Sequence, residues 1–326
     1  MTAPRVDVVI ASYNHAPYLR QAIDSVLASD VPLHVWVVDD GSTDGSREML
    51  DALDDPRVTV AMNPDNIGAG ATFNRGFAMG QAPFVAICNS DDMWRPEKLS
   101  RQLTAIGDSP TRDKIAFTLA EHIGPDGGPV PEGLARYPAD MFLSVEWDRY
   151  LWLNQLLLRE NRLCTPSALI PRDILEIAGG YNNIFRHLPD QELWTRLFQH
   201  ADPVIVPDPL VQFRFHGNNT STQDSQSGFK RRSKKRAMSW EKHYTLRRFV
   251  TEASDDTFAR TFLKDAYRPE VGMLRQKFDF LIGLDAPHAV KIAMDHVGDV
   301  LSRDGDQPDF TALDFQRICS VRTLAI

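Results

Sequence analysis

Apolar and polar positions follow two distinct rhythms along the first third of the chain. Short β-branched runs predict buried strands, and stretches with apolar residues three or four positions apart predict amphipathic helices. The predicted strands are Val6–Ala11, Leu33–Val38, Val58–Ala61 and Phe84–Cys88. The predicted helices between them are Ala16–Ser29, Arg47–Leu53 and Ala71–Met79. This alternation predicts an α/β fold, in which a mostly parallel central sheet is flanked by crossover helices.

The remaining chain is predicted to complete this domain and then to add a helical extension. Further predicted strands are Ile115–Leu119, Leu163–Pro171, Val204–Val206 and Val211–Phe215. Helical spacing predicts helices at Trp147–Leu158 and Arg172–Ala178, and it continues from Ala237 to the end of the sequence. We therefore expect one α/β domain over residues 1–225, followed by a basic linker and helical extension over residues 226–326.

Polar loops follow three of the predicted strands. Tyr13-Asn14 follows the first strand, Asp39-Asp40 the second and Asp91-Asp92 the fourth. The carboxyl ends of parallel strands share one edge of the sheet, where doubly wound folds bind nucleotides. Neither a G-x-G-x-x-G fingerprint nor a P-loop is present, so a phosphate site here would depend on a cation. The alternative for Asp91-Asp92 is a polar turn that leads into a helix.

Composition and charge narrow the class of protein. The apolar and charged fractions are those of an ordinary soluble globular protein. A net charge of -8 argues against a general nucleic-acid binder. The three cysteines are unclustered, which argues against a disulfide framework and a cysteine-based zinc site. No segment resembles a signal peptide or a membrane span, so the expected location is the cytoplasm, with the inner face of the membrane as an alternative.

Three motifs together resemble the family 2 inverting glycosyltransferases with the GT-A fold. The motifs are Ile10-Ala-Ser-Tyr13-Asn14, Val38-Asp-Asp40-Gly-Ser-Thr-Asp44 and Asn89-Ser-Asp91-Asp92-Met-Trp-Arg-Pro-Glu-Lys98-Leu. Their order and spacing match the family over roughly the first two-thirds of the chain. The resemblance implies metal-dependent transfer of a sugar, with inversion, from a nucleoside diphosphate sugar, most often a UDP-sugar, to a glycan or lipid-linked acceptor. Bacterial cell-surface polysaccharide synthesis is the usual setting.

The same resemblance assigns roles on the donor side. Asp40 should meet the nucleotide base, Asp91 should lie near the ribose, and Asp92 should hold Mn²⁺ or Mg²⁺ on the diphosphate. The donor residues implied by the matched loops are Ala11, Tyr13, Asn14, Asp40, Asn66 and Asp91. His216, in an ending similar to that of the family, should complete the metal shell or touch the diphosphate. Asn89 replaces a carboxylate found in many relatives, which puts the choice of metal in doubt.

Asp190 is the expected general base. In the family a Gly-Gly-aromatic turn precedes a Glu-Asp pair whose Asp is the base, and here Gly179-Gly180-Tyr181 precedes Asp190, with Pro189 in place of the Glu. Taken alone, Asp190 would be read as a helix N-cap. Glu192 is expected to be a first-turn acid that interacts with the helix dipole. Trp94 and Trp194 are candidates to stack on a sugar or base, and burial in the core is the alternative.

Two features of the C-terminal third leave alternatives open. Lys230–Arg236 has six cations in seven positions, and it is either a solvated helix start or a segment that contacts a diphosphate or anionic lipid. Ala289–Leu301 is amphipathic and could pack on the catalytic domain, on a second copy or on a membrane. The alternative functions are a catalytically inactive binder of a sugar nucleotide and, less favoured, a nucleotidyltransferase.

Overall fold

Eight strands form one sheet in the part of the chain that the structure describes. The structure is a computed structural model that describes residues 5–107, 113–134, 138, 140–142, 144–217, 219, 228–284, 286–308 and 310–315. The strands are β1 (Val6–Ser12), β2 (Leu33–Asp39), β3 (Val58–Met62), β4 (Phe84–Asn89), β5 (Met93–Trp94), β6 (Lys114–Ile123), β7 (Leu169–Pro171) and β8 (Asp202–Arg214).

The sheet order is β3-β2-β1-β4-β7-β6-β8-β5. The four N-terminal strands pair in parallel, as their alternation with helices predicts. β7 is antiparallel to both β4 and β6, while β6 and β8 are parallel and β5 is antiparallel to β8. The sheet is therefore parallel in its N-terminal half and mixed in the other half.

Helices cover the sheet and form the C-terminal region. They are α1 (Ala16–Leu27), α2 (Ser46–Asp51), α3 (Ala69–Met79), α4 (Lys98–Ile106), α5 (Arg149–Leu158), α6 (Arg172–Ala178), α7 (Pro189–Leu197), α8 (Gly228–Glu252), α9 (Asp255–Phe258), α10 (Met273–Gly283) and α11 (Pro287–Asp304). In the main core, apolar residues of β1, β2 and β4 pack against buried Leu19, Ile23 and Val26 of α1. Among the described residues, no helix has the length and apolar character needed to cross a membrane.

Two predicted strand regions differ most from the structure. Leu163–Pro171, predicted as one strand, contains a 3₁₀ turn at Thr165–Ser167 and only the short β7. The two late strands predicted at Val204–Val206 and Val211–Phe215 form the single strand β8, whose register against β6 shifts on either side of Leu119. β8 contains several prolines, which cannot donate to a ladder and favour such an irregularity.

The described chain divides into two compact units, Met1–Ala237 and Met238–Ile326. The first contains the sheet, and the second is built from helices. The predicted boundary after residue 225 lies outside the described residues, and the observed division lies within α8. In the second unit, α11 buries Ala289, Ile292 and Val297 along one face, in agreement with its amphipathic sequence.

Candidate functional site

Three polar loops lie side by side at the carboxyl edge of β1, β2 and β4. β1 is the middle strand of this parallel trio, and its Ala11 pairs with Val38 on one side and Asn89 on the other. The loops after the three strands therefore adjoin one another, as the sequence predicts. This edge brings together the strand ends that precede Tyr13-Asn14, Asp40 and Asp91.

The loop after β1 is tied to the loop after β2. The Asn14 N–H donates to Ser42 Oγ at 2.9 Å, and Asn14 Oδ1 accepts from the Thr43 N–H at 2.8 Å. Asn14 has a positive φ of 54°, a conformation that Asn tolerates better than most residues. Tyr13 stays 46% exposed. Asn14 therefore organises the two loops, and the neighbouring Tyr13 ring remains accessible to a ligand.

Asp40 organises the loop after β3. Its Oδ1 accepts from the Ile67 N–H and its Oδ2 from the Gly68 N–H, both at 2.9 Å. Asn66, exposed at this loop, lies against Gly41, where a Cβ would come within 2.8 Å of the Asn66 nitrogen. Gly41 also has a φ of +81°, so this close approach favours glycine. Both carboxylate oxygens of Asp40 thus accept hydrogen bonds from backbone N–H groups of the protein. Its contact with a nucleotide base stays a prediction.

His15, Asp91 and His216 form a cluster with the donor atoms of a metal site. One ligand atom from each lies within 4.8 Å of the others. Asp91 Oδ2 is 3.0 Å from His216 Nε2 and accepts from Asn219 Nδ2 at 3.1 Å, while His15 Nδ1 is 2.8 Å from Ser90 Oγ. Burial lowers the pKa of His15, which favours the neutral imidazole that binds a metal. Two imidazoles and a carboxylate fit a divalent cation.

Asp92 is not among the three residues of this cluster, and the metal-binding role predicted for it stays a prediction. Its Oδ1 accepts from the Arg214 N–H at 2.8 Å, and its Oδ2 accepts from Asn89 Nδ2 at 2.9 Å. Burial raises the pKa of Asp92 well above its usual value, and the charge of Asp91 adds to this rise. The side chain points into the protein because both of its oxygens have partners there. Asp91 is the carboxylate of the pair that lies with the two histidines.

The buried Arg214 fixes the loop that contains Asp91. Its Nε donates to the Asp91 carbonyl oxygen at 2.8 Å, and its two terminal nitrogens donate to the Pro125 carbonyl and to Gln21 Oε1, each at 2.9 Å. A buried cation needs such a set of acceptors. The contact with Pro125 also holds the start of the Gly124–Gly133 loop, which closes with a Gly124 N–H bond to the Gly128 carbonyl at 2.7 Å.

Asp190 lies in the first turn of α7, where it does not cap the helix. Leu188 occupies the N-cap position, and no side chain caps this end, so the capping interpretation is wrong. The half-buried carboxyl of Asp190 accepts from the Tyr181 hydroxyl at 2.9 Å and is also hydrogen-bonded by the Thr165 side chain. Burial raises its pKa, and these two hydrogen bonds oppose the rise. The structure therefore holds a carboxylate with a raised pKa in a fixed orientation.

Glu192 supports the turn that contains Tyr181. It is buried and pairs with Arg196 through two contacts of 2.8 and 2.7 Å, and Arg196 donates to the Gly180 carbonyl at 2.6 Å. On the other side, Asn74 Oδ1 accepts from the Tyr181 N–H at 2.7 Å. These contacts fix the backbone from which the Tyr181 hydroxyl reaches Asp190. Glu192 lies in the first turn of α7, as the sequence predicts, and its ion pair with Arg196 comes in addition.

Both tryptophans proposed for sugar or base stacking lie in the core, which corrects that prediction. Trp94 is 3% exposed and Trp194 is fully buried. The Trp94 indole N–H donates to the Pro166 carbonyl at 2.9 Å. Pro166 follows Thr165, the residue that bonds Asp190, and Trp94 itself lies two residues after Asp92. Trp94 therefore links the donor-side loop to the segment that holds Asp190.

Residues of the site that received no role from the sequence include His15, Tyr181 and Arg214. His15 is a lone histidine in a polar loop, and nothing local distinguishes it from a surface residue. Arg214 offers a usable signal, because an arginine between Phe213 and Phe215 in an apolar strand must find buried acceptors. Tyr181 belongs to the recognised Gly-Gly-Tyr turn, but the contact of its hydroxyl depends on the fold.

Sequence comparison relates this chain to known glycosyltransferases. Residues 7–126 match the sequence profile of Glycosyl transferase family 2. An uncharacterized glycosyltransferase of Nostoc sp. is 41% identical over 100 residues, which cover 30% of this chain and 31% of that protein. The succinoglycan biosynthesis protein ExoO of Rhizobium meliloti is 38% identical over 101 residues, covering 31% of this chain and 29% of that protein. The chain spans about a third of the length of these relatives.

Structural comparison confirms the fold. TarS 1–349 of S. aureus in complex with UDP-GlcNAc superposes with a TM-score of 0.58 at 16% identity, over 98% of this chain and 90% of that chain. TarS 1–349 without a named ligand gives a TM-score of 0.57 at 15% identity, over 95% of each chain. At this low identity the likeness shows the fold alone, a GT-A-like mixed α/β architecture with a C-terminal helical region.

Proposed function

We propose that this chain, whose residues 7–126 match the sequence profile of Glycosyl transferase family 2, transfers a sugar from a nucleoside diphosphate sugar to a hydroxyl group of a glycan or lipid-linked acceptor. One observation supports this proposal above the others. The candidate metal ligands around Asp91 and the fixed carboxylate of Asp190 are connected through Trp94, Pro166 and Thr165. Glycosyl transfer needs both functions, because the leaving group is anionic and the nucleophile is a weakly acidic hydroxyl.

His15, Asp91 and His216 would hold a divalent cation. The mixed imidazole and carboxylate set favours a transition-metal ion such as Mn²⁺ over Mg²⁺. When bound, such an ion supplies positive charge that stabilises the departing diphosphate. Ser90 and Asn219 orient the His15 ring and the Asp91 carboxylate by hydrogen bonds at 2.8 and 3.1 Å, as outer-shell partners of metal ligands commonly do.

Asp190 would act as the general base. Its carboxylate takes the proton of the acceptor hydroxyl as the hydroxyl oxygen attacks the anomeric carbon, and the bond to the diphosphate breaks. Attack from the face opposite the leaving group inverts the anomeric configuration. The raised pKa of Asp190 makes its carboxylate a stronger proton acceptor than an exposed aspartate. Tyr181 and Thr165 hold the carboxylate in one orientation.

The proposal also names a class of donor and a biosynthetic process for the reaction. We favour a UDP-sugar as donor, with Ala11, Tyr13, Asn14, Asp40 and Asn66 next to its nucleotide. TarS, of similar fold, was crystallised with UDP-GlcNAc. ExoO is named for succinoglycan biosynthesis, so assembly of a polysaccharide is the favoured setting. The location that we propose for this reaction is the cytoplasm.

The test is the substitution Asp190→Asn, compared with Asp173→Asn. Asn keeps the size of the side chain and an oxygen that accepts from Tyr181, but it cannot take up the proton. We expect transfer to fall by about 10²–10⁴-fold, while donor binding measured by calorimetry stays unchanged. Asp173 is an exposed first-turn acid of α6, so its substitution should leave both measurements unchanged.

Two results would contradict the proposal. Near-normal transfer by Asp190→Asn would assign the proton to another group. Donor binding by the wild-type chain without transfer to any acceptor would favour an inactive sugar-nucleotide binder. The donor is identified first, by measuring the binding of a panel of nucleotide sugars in the presence of Mn²⁺. Because the acceptor is unidentified, slow hydrolysis of that donor is then the readout of activity.

A further inference from the structure

Helix α8 concentrates positive charge in an acidic protein. Its 25 residues contain nine Lys and Arg residues and two Glu residues, a net charge of +7, whereas the whole chain has a net charge of -8. Six of these cations lie in Lys230–Arg236, near the start of the helix. At 1.5 Å per residue the helix is about 37 Å long. Such a segment attracts an extended anionic surface.

An aromatic pair follows the basic run on the same helix. Trp240 is 50% exposed, and its ring centroid lies 5.5 Å from that of Tyr244, one turn further on. Other large apolar side chains of α8, such as Phe249 and Val250, are buried. Trp and Tyr combine an apolar ring with a polar group, and for this reason they are enriched at the boundary between membrane and water.

Basic residues of two helices meet around His243. His243 and Arg247 follow Trp240 by three and seven residues and so share its side of α8. From α11, His288 places its ring centroid 6.1 Å from that of His243. The pKa of His243 is lowered first by burial and then by His288, Arg247 and Lys291. Arg247 of α8 and Lys291 of α11 therefore both lie close to His243.

The acidic group that faces this place is Asp295. It pairs with Lys291 at 3.1 Å along α11, and its negative charge opposes the lowering of the pKa of His243. Both members of this pair reach solvent, since Lys291 is 66% and Asp295 is 31% exposed. A solvated pair of this kind is weak, so the Lys291 ammonium can exchange its partner for a phosphate group.

We propose that Trp240, Tyr244, Arg247 and Lys291 form a surface that docks on an anionic phospholipid bilayer. The two cations would contact lipid phosphates, and the indole would enter the interfacial layer. The net charge of +7 on α8 adds long-range attraction to an anionic bilayer. This inference does not rest on sugar transfer, because docking needs neither donor nor acceptor. Its failure would leave the proposed reaction untouched.

The experiment measures co-flotation of the full chain with lipid vesicles. We expect binding to vesicles of equimolar phosphatidylcholine and phosphatidylglycerol, little binding to phosphatidylcholine alone, and weakening as sodium chloride is added. Lys291→Gln should reduce the partition coefficient about fivefold, the effect of one cation near an anionic surface. Arg303→Gln is the matched control, since Arg303 lies on α11, is 73% exposed and also pairs with a neighbouring aspartate.

The aromatic contribution has its own pair of variants. Trp240→Ala should reduce binding to anionic vesicles at least about fivefold, while Tyr267→Ala, which removes a 45% exposed aromatic from the same unit, should not change it. Equal losses from Lys291→Gln and Arg303→Gln, or equal binding to neutral and anionic vesicles, would overturn the proposal. Release of the chain from anionic vesicles by inorganic phosphate, beyond the release by sodium chloride at equal ionic strength, would also overturn it. Tighter binding to a mixed-sequence oligonucleotide than to anionic vesicles would overturn it as well.

Discussion

Replacing Tyr181 with Phe should move the acid limb of the pH–rate profile of transfer to higher pH. The Tyr181 hydroxyl donates to Asp190 Oδ1 at 2.9 Å and so stabilises the carboxylate more than the carboxylic acid. Without this donor, the pKa of Asp190 rises further. A general base acts only when it is deprotonated, and the rate therefore falls as the pH drops through this pKa. In the variant this fall begins at a higher pH.

The size of the shift follows from the energy of the lost bond. A hydrogen bond to a charged group contributes about 1.5–3 kcal/mol, which corresponds to about one to two pKa units. The Thr165 side chain still bonds Asp190 in the variant. Water can also replace part of the lost bond at a half-buried carboxyl. We therefore expect a shift of about one unit, with the rate nearly unchanged well above the pKa.

The assay is the initial rate of sugar transfer, or of donor hydrolysis, followed over a pH series. Tyr150→Phe is the matched control, because it removes a buried hydroxyl that accepts from Arg149 in α5. Phe at position 181 keeps the ring that stacks near Phe73 and Phe77, so the fold should persist. An unchanged acid limb in Tyr181→Phe, or an equal shift in the control, would refute this role of Tyr181.

Three further predictions concern metal binding and stability. Asp91→Asn should weaken calorimetric Mn²⁺ binding more than about tenfold; affinity equal to wild type would place the ion elsewhere. Burial lowers the pKa of Lys98 to about 7, so the stability of the folded protein should rise with pH from about pH 7 to pH 10 as the folded state loses this proton before the unfolded state does. Lys98→Met should remove this rise and should increase the melting temperature most near neutral pH; a parallel pH dependence in both proteins would contradict this. Gly180→Ala, at a φ of +67° and with its Cβ 2.4 Å from Asn74 Oδ1, should lower the urea unfolding free energy by about 1–3 kcal/mol, unlike Gly283→Ala, whose Cβ would meet open space.

The N-terminal half of the fold could be predicted because its signals are local. Each strand of the parallel part is one apolar run, and each crossover helix has its own apolar face, as α1 shows with Leu19, Ile23 and Val26. β5 and β7 have only two and three residues, too few for periodicity to reveal. β8 was divided into two strands because its prolines interrupt the apolar pattern, although the pairing with β6 continues past them.

The chemistry of the site was harder to predict than its location. The sequence shows that Asp91 and Asp92 follow β4, but which of them turns inward depends on the backbone N–H of Arg214, far along the chain. Trp94 resembles a sugar-stacking residue in sequence. Its burial comes from Pro166 and from Lys98, whose ammonium lies 3.6 Å from the centre of the indole. Such outcomes depend on contacts between distant segments, which a local pattern does not contain.

The loops at the sheet edge support one another, and this has a consequence for how the site can change. Asn14 is bonded to Ser42 and Thr43, and Asp40 holds the backbone of Ile67 and Gly68. A substitution in one loop therefore alters the support of the next, so the effects of two substitutions in neighbouring loops should not add. Variation in donor preference would then require compensating changes in several loops together. A single residue exchanged between relatives would transfer only a fraction of their specificity.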